Sequence, residues 1–90
     1  MKIEALEREW EIAPVNFDNR RKLHGLNLAA FAGDEVDYEK YERLLTSALV
    51  LSGIPDKDIA ELSDIQLDIL GQAIVKEYLG LSKKENGDSV

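Results

Sequence analysis

The chain has no cysteine, so neither a disulfide nor a thiolate metal site can form within it. It has one histidine, His24, and one tryptophan, Trp10. A nucleophile activated by a base usually relies on a histidine that a third group orients. His24 follows Arg20, Arg21 and Lys22, and it reads as a solvated side chain on a helix. There is no Gly-x-Ser-x-Gly sequence. Long apolar runs are missing too: no segment approaches the roughly 18 consecutive apolar residues of a membrane span. Cations are the minority charge, with 11 Lys and Arg against 18 Asp and Glu for a net −7. That balance repels nucleic acid and anionic lipid and keeps a small protein in solution. The first eleven residues carry four Glu, unlike a secretory or transit peptide. A cytoplasmic location is expected, with neither nucleic acid nor a membrane as partner.

What remains is 90 residues, 44% hydrophobic and 32% charged, which suits one folded domain. A chain of this size buries roughly 60–65% of the surface its unfolded form exposes. That houses one small core and leaves little room for a deep enzyme cleft.

Helix boundaries are the clearest signals. Ser63-Asp64-Ile65-Gln66 is a capping box: the Ser63 hydroxyl can accept from the Gln66 amide while the Gln66 side chain reaches back to the Ser63 amide. Beyond it Ile65, Ile69, Leu70, Ala73, Ile74, Tyr78 and Leu81 recur at helical spacing, and Gly80 can close the helix in the left-handed conformation. A helix is predicted over 64–79. Gly71 inside it costs about 1 kcal/mol relative to Ala, which either a close helix crossing offsets or a tolerant surface absorbs. Asp37 caps a second helix over 38–52, with Val36 and Tyr41 as its staple, and Gly53 ends it. Pro55 suits the start of a short helical turn through Glu61. A third helix is predicted over 18–32, capped by Asn16 or Asp18 and stopped at Gly33, with Gly25 weakening its interior. In the first fifteen residues Ile3, Leu6 and Trp10 fit a helix, whereas Leu6, Arg8, Trp10 and Ile12 fit one face of a strand. An extended segment near Glu9–Ala13 is preferred, and both readings bury Trp10.

The predicted fold is therefore mainly α: a compact bundle of three principal helices plus a short one, with a short N-terminal extended segment. Residues 1–81 form the domain. Residues 82–90, without an apolar residue until Val90, are expected to be a flexible tail. The expected core is Trp10, Phe17, Leu23, Phe31, Tyr41, Leu44, Leu45, Ala48, Leu49, Ile69, Leu70, Ala73 and Ile74.

Motifs that would carry chemistry fail one by one. Asp56-Lys57-Asp58-Ile59-Ala60-Glu61 offers oxygen ligands, but an EF-hand loop needs a central Gly and a closing Glu, and Leu67 stands where that Glu belongs. The glycines are scattered and form no phosphate loop. Acyl carrier proteins bear a prosthetic group on the Ser of Gly-x-Asp-Ser-Leu at a helix start. Leu62-Ser63-Asp64-Ile65 has the Asp on the wrong side, and the sole Asp-Ser, Asp88-Ser89, lies in the tail. No catalytic residue, cofactor or metal ligand is assigned, and the protein is expected not to be an enzyme.

The helix over 38–52 is apolar over more of its circumference than one buried face requires. Tyr38, Leu45 and Leu49 cannot all point the same way as Tyr41, Leu44 and Leu51. Either the helix is central and covered on two sides, or some of Trp10, Tyr38, Tyr41 and Leu45 line an exposed groove or a self-association face. The alternative binding surface is the Arg20-Arg21-Lys22 side of the first helix. The acids Glu39, Glu42, Asp64, Asp68 and Glu77 are expected along the solvent sides of separate helices, interspersed with Lys40, Arg43 and Lys76.

Three segments carry a resemblance: Asn16-Phe17-Asp18-Asn19-Arg20-Arg21-Lys22-Leu23-His24-Gly25-Leu26-Asn27-Leu28, the helix opening at Val36-Asp37-Tyr38, and Gly71-Gln72-Ala73-Ile74-Val75-Lys76-Glu77-Tyr78-Leu79-Gly80-Leu81. Together they resemble small tailed-bacteriophage proteins of the tail assembly chaperone type, over roughly residues 9–84. The resemblance implies a non-enzymatic cytoplasmic protein that coats the tape measure protein and recruits tail tube subunits. It transfers no site residue, because that type has no fixed motif. The alternatives are a structural adaptor or minor virion protein of a phage, and an acidic inhibitor of a host protein.

Overall fold

A computed structural model describes residues 1–81, so the tail expected over 82–90 lies outside the described residues. The chain opens with a hairpin of two antiparallel strands, β1 (Lys2–Ala5) and β2 (Arg8–Glu11), and continues as α1 (Phe17–Ala30), α2 (Tyr38–Ser52), the short α3 (Asp56–Ala60) and α4 (Asp64–Leu79). This is the mainly α fold with a short N-terminal strand segment that the sequence predicts.

The hairpin replaces the single extended segment foreseen at Glu9–Ala13. Its register pairs Ile3 with Trp10 and Ala5 with Arg8. The two-residue turn places Leu6 at φ 56° and Glu7 at φ 63°, the conformation of a type I′ hairpin turn, which favours Asn and Gly. Ile3, Trp10 and Ile12 form the buried side. The Trp10 indole donates to the Ala5 carbonyl at 2.9 Å, and the Arg8 guanidinium lies 3.9 Å from the centre of its ring.

Helix ends follow their local signals. Asn16 accepts from the Asn19 amide and Asp37 from the Lys40 amide. Both bonds of the Ser63–Gln66 box are present, at 2.9 and 3.2 Å. Gly53 and Gly80 close α2 and α4 at φ 73° and 77°, where a side chain would be strained. Helix α1 ends at Ala30 rather than at Gly33, because the Asp37 amide takes the Ala30 carbonyl at 2.8 Å and folds the loop back.

Phe31, just past α1, packs edge-on against Tyr41 early in α2, with ring centres 5.7 Å apart. Asn19 near the start of α1 shares a groove with Val50 and Leu51 late in α2. The two helices therefore run antiparallel. Helix α4 crosses α2 so closely that a Cβ on Gly71 would stand 3.1 Å from the Leu45 Cβ; Gly71 sits at a close crossing, not on a tolerant surface. One core joins the hairpin and the three long helices, through Trp10, Leu23, Leu44, Leu45, Leu70 and Ile74 among others. The Tyr78 hydroxyl donates to the Ala13 carbonyl, and the Ala13 amide donates to Ser52 O at 2.8 Å, which fastens the hairpin's exit to α2 and α4.

Three expected core residues are on the surface: Phe17 at 65% exposure, Phe31 at 49% and Ile69 at 44%. Phe17 is the first residue of α1 and Phe31 follows its last turn, so each overhangs the packed stretch. Ile69 lies on the Ile65 side of α4, while the helix buries Leu70, Ile74 and Tyr78. Tyr41, Leu49 and Ala73 are half-buried against the core. Ala30, Ile54 and Val75 are buried without having been foreseen there, and Ile3, Ile12 and Tyr78, placed on apolar faces but outside the expected core, are buried as well.

Candidate protein-interaction surface

The six residues expected to meet a partner separate into two groups. Trp10 and Leu45 are 3% and 2% exposed and serve the core. Trp10 is covered because Ile3 and Ile12 bring the hairpin down on the bundle, and Leu45 because Gly71 lets α4 approach it. Both leave almost no exposed area to a partner. Tyr38, Arg20 and Arg21 are exposed, and Tyr41 is half-buried.

Tyr41 lines a groove of about 230 Å³ with Asn27 from α1, Phe31 just past its end, Leu44 and Leu45 from α2, Gln72, Val75 and Lys76 from α4, and Leu81. The groove exists because α1, α2 and α4 converge there, with Phe31 standing on Tyr41 as a wall. Burial, helped by the charge of Asp68, raises the Tyr41 phenol above its ordinary range. Of its lining residues Phe31 is 49% and Leu81 43% exposed, and Tyr38, outside the lining, is 74% exposed. Tyr38 begins α2, one turn before Tyr41, where α1 has already ended. The sequence reading found Tyr38 and Tyr41; it missed Phe31 and Leu81 by assigning the first to the core and the second to α4's inner row.

A second groove, of about 360 Å³, lies between α2 and α4. Leu49 and Leu67 form its floor beside Leu45, and Glu42, Asp64 and Asp68 its rim. The sequence reading dispersed these acids along separate helices; the close crossing brings three of them to one edge. Asp68 raises the Glu42 carboxyl above its usual range by like-charge repulsion. Among the described residues no three His, Asp or Glu side chains are placed to hold a metal ion, and no helix is long and apolar enough to cross a membrane.

On α1, Arg20 holds its guanidinium 5.6 Å from the centre of the Phe17 ring. Arg20, Arg21 and Lys22 take part in none of the ion pairs among the described residues, which join Met1 to Glu11, Lys2 to Glu9 and Lys40 to Asp37.

No protein-family model, curated protein or solved structure matches the chain.

Proposed function

We propose that this is a non-catalytic binding protein that covers an apolar helical stripe of another protein with the Phe31–Tyr41 groove. The observation that supports it is that Phe31 and Leu81, both exposed, line a groove together with Tyr41, Leu44 and Val75, while the exposed Tyr38 stands one turn before Tyr41 on α2. Aromatic side chains at such a place supply large contact area at small entropic cost and are the usual anchors of interfaces. A groove between converging helices accepts an amphipathic helix that presents apolar residues at i, i+3 or i+4, and i+7. The resemblance to tail assembly chaperones supplies the partner: the tape measure protein, a long helix whose apolar stripe needs cover until the tail tube forms around it. The net charge of −7 would keep such an assembly dispersed.

The test is a calorimetric titration of the full chain with helical fragments of a phage tape measure protein, using wild type, Phe31→Asp and Tyr38→Asp. Both residues are exposed, so both variants should melt like wild type. Binding by wild type and its loss in the variants supports the proposal. Equal binding by all three removes the groove from it, and no binding by wild type removes the tape measure protein as partner.

A further inference from the structure

Two surfaces outside the Phe31–Tyr41 groove oppose each other in charge. The outward face of α1 carries Phe17 and Leu28, 65% and 57% exposed and about three turns apart. Arg21 and Gly25 stand between them on the same side of the helix, and Arg20 flanks Phe17. Gly25 is exposed, and a Cβ there would meet nothing within 4 Å. Nothing inside the chain asks for glycine at this position, although glycine is a poor residue for a helix interior. A flat, side-chain-free patch between two exposed apolar residues is what the close approach of another surface requires.

The opposing surface is the groove between α2 and α4. Glu42, Asp64, Asp68 and Thr46 line it with Leu45, Leu49 and Leu67, so its accessible surface is mainly polar, and no Lys or Arg lines it. Ile65 and Ile69, 74% and 44% exposed, stand beside it on α4. The ion pairs among the described residues use neither these acids nor the cations of α1.

We propose that the protein assembles head to tail with itself: the face of α1 formed by Phe17, Arg20, Arg21 and Leu28 around Gly25 docks on the acidic α2–α4 groove of a second copy. Charge complementarity selects the occupant. Two α1 faces in contact would gather four cations, and two α2–α4 grooves six acids; only the crossed arrangement sets Arg20 and Arg21 against the three carboxylates and Phe17 or Leu28 against Leu49 and Leu67. The second copy also removes the like-charge repulsion at Glu42, because a guanidinium placed there stabilises both carboxylates. Each copy keeps one face free after pairing, so the contact closes into a ring or extends. The net charge does not forbid it. The molecule spans 35 × 32 × 25 Å, several times the Debye length of about 8 Å at physiological salt, so bulk repulsion is screened while contact pairs persist. This inference is independent of the tape measure reading, since the purified chain alone tests it.

The experiment is analytical ultracentrifugation of the full chain at about 0.15 M salt, with concentration raised to about 1 mM to reach weak association. The weight-average mass should climb above the 10.1 kDa of one chain. Gly25→Trp has open space to fill and should keep the helical signal and the melt, yet remain monomeric. The double variants R20E/R21E and E42K/D68K should each be monomeric, because each makes its two faces alike in charge. An equimolar mixture of the two restores opposite charges across the contact and should associate. A wild-type mass that stays at 10.1 kDa throughout, a Gly25→Trp variant that associates like wild type, or folded double variants that stay monomeric when mixed, would overturn the proposal.

Discussion

Replacing glycine by alanine in the middle of a helix should have opposite consequences at two positions of this protein. In both cases the intrinsic gain is about 0.8–1 kcal/mol, the difference in helix propensity. At Gly25 nothing opposes it, because a Cβ has no neighbour within 4 Å. Gly25→Ala should therefore stabilise by close to that full amount and raise the melting temperature by about 4–8 °C for a domain of this size. At Gly71 the new methyl would meet the Leu45 Cβ at 3.1 Å and the Leu45 Cδ2 and carbonyl oxygen at 3.4 Å. Leu45 is 2% exposed and packed on all sides, so α2 and α4 must separate by a few tenths of an ångström. Overpacking of this kind costs about 1–3 kcal/mol. Subtracting the propensity gain leaves Gly71→Ala between neutral and about 2 kcal/mol destabilised. The two variants should then differ by about 1–3 kcal/mol. Urea and thermal unfolding followed by circular dichroism measure this, at dilute protein so that self-association adds nothing by mass action. If Gly71→Ala is as stabilising as Gly25→Ala, the α2–α4 crossing is not close and the reasoning fails.

Leu70 is fully buried and Ile65 is 74% exposed, so Leu70→Ala should cost about 2–5 kcal/mol and Ile65→Ala less than about 0.5 kcal/mol, read as the shift in urea midpoint. Glu7 holds φ 63° in the hairpin turn, and Glu7→Gly should stabilise by about 1 kcal/mol through relief of left-handed strain; a loss of stability on the same unfolding curve would contradict that turn geometry. Asp68 raises the Glu42 carboxyl above its unfolded value, so the native state binds that proton more tightly than the unfolded chain does. The resulting destabilisation is present above the raised native value and vanishes as pH falls below the unfolded one. Glu42→Gln should therefore raise the urea midpoint at neutral pH and leave it unchanged below about pH 4; the same gain at both pH values would exclude charge repulsion as its cause.

What the amino-acid sequence determines here is nearly everything that acts over a few residues. The Ser63–Gln66 box, the Asp37 and Asn16 caps and the glycines that close α2 and α4 each satisfy orphan amides or carbonyls within one turn. Their residue types are therefore readable where they stand. The hairpin is the local feature that escaped, because Leu6-Glu7 lacks the Asn-Gly signature of its turn. Its buried Trp10 was legible from the strand alternation, its pairing with Ile3 was not.

The candidate surfaces depend on how whole helices are rotated and how far they overlap, and those are properties of the packed bundle. Helix α4 has apolar residues around most of its circumference, so periodicity alone cannot choose between the Ile65–Ile69 side and the Leu70–Ile74 side. The Leu45–Gly71 contact makes that choice and turns both isoleucines outward. The same crossing draws Glu42 toward Asp64 and Asp68, a juxtaposition that spans more than twenty residues of chain and leaves no local trace. Phe31 looks like a core residue by composition and becomes a groove wall because α1 stops at Ala30, one residue before it. Hydrophobicity favours burial without saying against what; only the tertiary arrangement decides which apolar side chains are left over, and in this protein those are the ones available to bind.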